Sequence, residues 1–243
     1  MLSRIIFILT CCLFFGNSAL SEEVTLGYVD FPPYEYQKDN EPEGILVDIV
    51  KQIFRKAKIP LDLKYLPFKR ALLNTKEGKL DGLFNFYKTA ARVPFYDYSK
   101  PIIKNYLVFF VHKDSKIKYK SLEDLVGLRV GVIRGYTYGK EFDTSSLFKK
   151  QSNNSHIANF KKLKLGRIDI YPCDSIVGKY LIRKNNLYSE FKVLPKPLKV
   201  MDGYIGFTKR KHLTTISKIN KVIKDMHGSG VINKIINNHI SAE

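Results

Sequence analysis

Three polar groups stand where the hydrophobic pattern predicts the C-terminal ends of strands. Arg92 follows the β-rich run Leu80 to Tyr87. An arginine there can set two parallel N–H bonds on a carboxylate. Gly135-Tyr136-Thr137 follows the apolar run Leu128 to Ile133 and is predicted to start a helix. Free backbone N–H groups and a hydroxyl at a helix N-terminus suit an anion. Asp174 comes right after the strand run that ends at Tyr171 and Cys173, where a carboxylate can accept from an ammonium. Open α/β sheets place ligand sites at that edge. Taken singly, each residue has an ordinary reading: the arginine as a surface ion-pair partner, the aspartate as a helix N-cap. Together they make an anion receiver and a cation receiver, a pairing that a zwitterionic α-amino acid fits. Phe31, after the first predicted strand, and Phe68, after the second, are candidate walls for a ligand's apolar body or plain packing residues.

The elements that must position these residues follow a strand–helix alternation. Val24 to Val29 reads as a short strand. Leu46, Ile49, Val50, Ile53 and Ala57 recur at helical spacing after Gly44, and Pro60 ends that helix. Leu61 to Leu66 and Leu80 to Tyr87 read as strands around a helix from Phe68 to Lys76. This order implies a parallel sheet with crossover helices. The grammar restarts at Ser121 and Asp124, which form a capping-box pattern. Strands are predicted at 128–133, 168–171, 193–194 and 204–208, and helices near 136–139 and over 156–165, 175–184, 214–226 and 231–238. Leu107 to Val111 and Pro195 to Met201 are candidate crossings between two lobes. The expected division is a first lobe over 22–110, an inserted second lobe over 111–197, and a return to the first over 198–243.

The 243 residues include sixteen Phe and fifteen Tyr, enough apolar material to exclude global disorder. No run of eighteen apolar residues occurs, which excludes a membrane-spanning bundle. The net charge of +18 is spread as scattered lysines without the long basic block of a nucleic-acid arm. A solvated basic surface is therefore expected, with no nucleic-acid partner. Residues 1–21 carry Arg4, an apolar run from Ile5 to Phe15, and Ala19-Leu20-Ser21, the pattern of a cleavable signal peptide. The predicted destination is the periplasm. Removing the leader leaves Cys173 as the one cysteine, so no internal disulfide is expected. The five histidines lack metal-site spacing, and no metal or cofactor is predicted.

Five segments, in order, resemble a known family. They are VTLGYVDFPPYEY, EGILVDIVKQIF, LPFKRALLNTKEGKLDGLFNFYKTAAR, SLEDLVGLRVGVIRGYTYG and LGRIDIYPCD. The chain resembles the amino-acid-binding solute-binding proteins of ABC importers over nearly all of 24–238. The resemblance implies a two-lobed type II periplasmic-binding fold, with each lobe a mostly parallel sheet flanked by helices and the ligand cleft between them. It implies hinge closure on an amino acid or close analogue, delivery to an inner-membrane permease, and a monomer. The family's carboxylate-binding arginine falls on Arg92, its ammonium-binding aspartate on Asp174, its lobe-two threonine on Thr137 beside Gly135, and its aromatic walls on Phe31 and Phe68. The run before Arg92 makes Asn85 and Thr89 ligand-binding candidates as well. It departs from the family by writing Thr89-Ala90-Ala91-Arg92 where Thr-Pro-Glu-Arg is common, and by placing Asn85, Phe86, Tyr87 and Lys88 where small serines are usual. The ligand's side chain is open on this reading: Arg134 beside the site favours an acidic ligand or faces solvent. The rival expectation is an exported dehydratase acting on prephenate-like or arogenate-like acids. It would need a cleft acid, for which Asp30, Glu35 and Glu141 are conceivable.

Overall fold

The computed structural model describes residues 23–241, and the leader expected over 1–21 lies outside them. β1 (Val24–Tyr28) is followed by the small hairpin β2 (Tyr36–Lys38) and β3 (Glu41–Glu43). Next come α1 (Ile45–Ala57), β4 (Leu61–Tyr65), α2 (Phe68–Glu77) and β5 (Gly82–Tyr87). Leu46, Ile49, Val50 and Ile53 bury one stripe of α1, and Lys58 in the left-handed region closes it. Gly44 enters α1 at φ 124°, and a Cβ there would stand 2.5 Å from the Tyr34 carbonyl oxygen. Only glycine fits that entry. β1 lies between β4 and β5, parallel to both, as the alternating order of elements requires.

The chain continues through β6 (Tyr96–Tyr98), the long β7 (Ile103–His112) and a short 3-10 turn at Leu122–Leu125 closed by the Ser121/Asp124 capping box. Then come β8 (Arg129–Ile133), α3 (Lys140–Thr144), β9 (Lys149–Asn153), α4 (His156–Lys164), β10 (Tyr171–Asp174) and α5 (Ser175–Lys184). β11 (Phe191–Val193), the long β12 (Lys199–Thr208), α6 (Leu213–Gly228) and α7 (Val231–Ser241) complete it. The main sheet runs β10-β7-β12-β5-β1-β4, with β11 also on β7 and β6 also on β12. β8 and β9 form a parallel pair, tied to the segment before β10 by a bridge from Val130 to Ile170. The architecture is α/β and two-lobed, a curled mixed sheet in which β12 adds antiparallel pairing to the parallel β4-β1-β5 group.

Several predicted boundaries move. The strand expected at 168–171 forms its ladder over Tyr171–Asp174 instead, because β7 offers Leu107 to Phe110 opposite those four residues. Ile168 and Ile170 are buried but make only the Val130 bridge. The helix expected near 136–139 begins at Lys140. Gly135 at φ 81° and Gly139 at φ 115° hold the intervening residues in a loop. β9, with sequence KKQSN, carried no strand signal: it is a polar edge strand, and edge strands need no apolar alternation.

Candidate functional site

A cavity of about 620 Å³ opens at the C-terminal ends of β5 and β10. Phe31, Thr89, Arg92, Thr137 and Asp174 line it together, drawn from four separate stretches of chain. The other three candidates lie beside it. Phe68 is 41% exposed, with its ring 5.6 Å from the Arg92 guanidinium carbon. Asn85 sits in β5 at φ 54°, its Oδ1 accepting from Asn105 Nδ2 at 3.5 Å. Gly135 shapes the loop that carries Thr137.

Arg92 is held by carbon and carbonyl contacts. Its guanidinium carbon lies 4.5 Å from the Phe86 ring centroid, and Nη1 donates to the Tyr87 carbonyl at 3.0 Å. No carboxylate pairs with it among the described residues. Asp174 is the N-cap of α5. Its Oδ1 accepts from the Ile176 and Val177 amides at 3.0 Å each and from the Tyr34 hydroxyl at 2.8 Å. Burial raises its pKa from the ordinary value, against the pull of those three donors. Oδ2 takes none of these bonds. The lobe-two anion receiver is already engaged: the Thr137 hydroxyl donates to Asp143 Oδ2, and the Tyr138 amide donates to Asp143 Oδ1 at 3.0 Å. An internal carboxylate thus rests on donors expected to be free.

Beneath the cavity lies a buried polar layer. Tyr34 stacks on Phe31 with centroids 5.6 Å apart. Glu35 is 1% exposed. Its Oε2 accepts from the Val29 amide at 3.3 Å, Asn85 adds a side-chain hydrogen bond, and burial still pushes its pKa up to about 8. Asn105 Nδ2 donates to the Tyr87 hydroxyl at 2.6 Å.

Sequence reasoning missed much of the rest of the lining, including Tyr138, His156, Cys173, Lys199 and Tyr204. His156 opens α4, a position where a lone histidine carries no signal. Lys199 begins the half of β12 that pattern reading left as a connection. Cys173 sat one residue before a flagged aspartate and could have been found that way. Among the described residues no three His, Cys, Asp or Glu side chains gather as a metal ion would need.

The chain has relatives along about nine-tenths of its length. It is 26% identical over 225 residues to the arginine-binding extracellular protein ArtP of Bacillus subtilis, covering 90% of this chain and 87% of that one. It is 25% identical over 226 residues to ABC transporter arginine-binding protein 1 of Escherichia coli, covering 91% of each. Its fold matches substrate binding domain 2 of GlnP from Lactococcus lactis in the open conformation, with a TM-score of 0.73 at 23% identity, over 91% of this chain and 96% of that one. A sequence profile matches residues 24–242, nearly the whole chain and every element that carries the cavity: the chain belongs to the bacterial extracellular solute-binding proteins, family 3.

Proposed function

We propose that this protein captures an amino acid or a close analogue in the cavity and hands it to an inner-membrane ABC permease. Capture takes place in the periplasm, by one monomer acting alone, through binding and not turnover. Lobe one spans 22–110 and 198–243, and lobe two is the insertion 111–197. The observation that carries this reading is the shared cavity of Arg92 and Asp174. Among the described residues Arg92 lacks an ionic partner, and Asp174 keeps one oxygen clear of protein donors. Arg92 takes the ligand carboxylate, and Asp174 takes its ammonium. Phe31 and Tyr87 pack against the carbon chain. Thr89 adds a hydroxyl, and Thr137 becomes available when Asp143 gives way. Phe68 supports Arg92 from outside the cavity, Asn85 links Glu35 to Asn105 below it, and Gly135 sets the Thr137 loop.

The curated relatives bind arginine by name, which supports the ligand class. The family and the named relatives are binding proteins, which supports binding over dehydration. The test is calorimetric titration of residues 22–243 with the standard amino acids. One group of amino acids should bind saturably at one site per chain. No heat with any of them rejects the proposal.

A further inference from the structure

The charges that line the cavity are unbalanced. Lys88, Arg92 and Lys199 supply three cations, and none of them makes an ion pair among the described residues. Asp174 and Asp202 supply two anions, and Asp202 already pairs with Lys104 at 3.5 Å. One free carboxylate therefore faces three free cations. A neutral zwitterion would settle the Asp174 and Arg92 pair and leave Lys88 and Lys199 unmatched. A basic side chain would add a fourth positive charge to a cavity whose rim already carries the exposed Lys88 and Lys199. The register of the sheet sets where the surplus lies. Leu107 of β7 stands opposite Asp174 on β10 and opposite Lys199 on β12, so the three form one row across the sheet. Two strand spacings separate Asp174 from Lys199, about 10 Å between Cα atoms. A ligand with its ammonium at Asp174 has a cation further along the same row.

His156 supplies a second, independent observation. It lines the cavity, and its Nε2 is buried with no hydrogen-bond partner among the described residues. Its Nδ1 lies 2.6 Å from the Tyr171 hydroxyl and 3.4 Å from Cys173 Sγ. Asn159 makes a side-chain hydrogen bond to the Tyr171 oxygen, and of the two acceptors within reach of the Tyr171 proton, Cys173 Sγ and His156 Nδ1, we assign it to the nearer His156 Nδ1. Burial depresses the His156 pKa, which favours the neutral imidazole. With Nδ1 accepting, the ring hydrogen sits on Nε2. A buried donor without an acceptor is costly, and a ligand oxygen would relieve it.

We infer that the ligand is an acidic α-amino acid, carrying a second carboxylate beyond the α-carboxylate, and that His156 Nε2–H donates to that second carboxylate with Lys199 beside it. This inference rests on the amino-acid reading above. Lys88, close to Arg92 in the chain, adds to the field that draws the doubly anionic end into the cavity. The specificity runs opposite to that named for the arginine-binding relatives.

The experiment is calorimetric titration of residues 22–243 with L-glutamate, L-aspartate, L-glutamine, L-asparagine, L-arginine and 2-oxoglutarate. Glutamate or aspartate should bind about tenfold or more tightly than its own amide. The same margin should hold against arginine and against 2-oxoglutarate, which lacks the ammonium. Lys199→Met, at an exposed position, should shrink the acid-over-amide ratio about tenfold. His156→Phe should weaken the acidic ligand by a similar factor. Should that variant fail to fold, imidazole nitrogen shifts in the unmodified protein decide: the His156 Nε2 resonance should move on saturation with the acidic ligand. Tightest binding of a neutral or basic amino acid overturns the inference and leaves the amino-acid reading intact. Binding of no amino acid overturns both. An unmoved Nε2 resonance, or a His156→Phe protein with undiminished affinity, overturns the role of His156.

Discussion

At the scale of the residue, Arg92, the proposed carboxylate receiver, is held without using up its charge. An arginine on a protein surface ordinarily finds a carboxylate, yet this one packs on Phe86 and Phe68 and gives one N–H to the Tyr87 carbonyl. Its position is fixed by contacts that leave its charge unspent. Arg92→Ala should cost about 2–5 kcal/mol of ligand affinity, because the ligand carboxylate would enter the cavity unpaired. Calorimetry reads this as a loss of roughly 30-fold or more, and near-normal affinity would refute the assignment. Glu35 makes a different prediction. The free carboxyl ionises near 4.5, while burial in the fold pushes it up to about 8. The folded chain therefore holds a proton that the unfolded chain releases. The stability from this group is complete below about pH 4.5 and drains away as pH rises toward 8, by at most about 1.4 kcal/mol per pH unit. Glu35→Gln should flatten that stretch of the stability profile, as read from urea midpoints at pH 5 and pH 8. Equal slopes in the two proteins would show Glu35 ionised inside the fold. Arg92 and Asp174 were legible in the sequence because charge at a strand end is a local signal. His156 and Lys199 were not, since their meaning comes from what the sheet brings opposite them.

At the scale of the element, α5 does two jobs through one residue. Asp174 caps the helix with Oδ1 and leaves Oδ2 to the cavity. The two roles separate by substitution. Asn is as good an N-cap as Asp, so Asp174→Asn should change stability by only a few tenths of a kcal/mol. It should still lose affinity about tenfold or more, because the ammonium then meets no charge. Asp174→Ala also loses the cap, about 1 kcal/mol, and strands the buried Tyr34 hydroxyl. Paired urea melts and titrations of the two variants test this. Equal affinity in wild type and Asp174→Asn would refute a charged ammonium contact. One turn on, a Cβ at Gly178 would stand 2.3 Å from the Phe110 ring. Alanine in a helix gains up to about 1 kcal/mol over glycine, but here the ring and β7 behind it must move. Gly178→Ala should therefore destabilise by about 1–3 kcal/mol, and a raised melting temperature would show that α5 can slide. Both ends of α5 were readable, since Asp174 and the run to Lys184 carry cap and stripe in sequence. The β10 ladder was misplaced by a few residues because Ile168 and Ile170 look more strand-like than Pro172 and Cys173. Only β7, far away in sequence, decides which four residues pair. The polar β9 was invisible for the same reason: its pairing with β8 is set by the partner strand.

At the scale of the whole molecule, β7 links strands on both sides of the proposed lobe division, and β12 pairs beside it. They pair from Lys199 opposite Leu107 to Gly203 opposite Ile103. Beyond that stretch β7 carries β10 and β11, while β12 carries β5 and β6. Asp174 therefore rides on one end of the paired strands, and Arg92, just past β5, rides on the other. A small rotation or twist of that ladder would change the distance between them. Closure of this hinge kind is how periplasmic binding proteins as a class take up ligand. A ligand gripped by both residues favours the closed arrangement by its differential affinity for it, and one gripped by either alone does not. Small-angle scattering of residues 22–243 should show the radius of gyration fall on saturation with the bound amino acid. Arg92→Ala and Asp174→Asn, at ligand concentrations that still saturate them, should stay at the unliganded value. Each retains only one end of the clamp, so occupancy no longer distinguishes the two arrangements. A contraction of wild-type size in either single variant would mean that closure draws on contacts other than this pair. The closing force would then have to be sought in the aromatic lining and in the Asp143 contact that Thr137 must exchange for ligand.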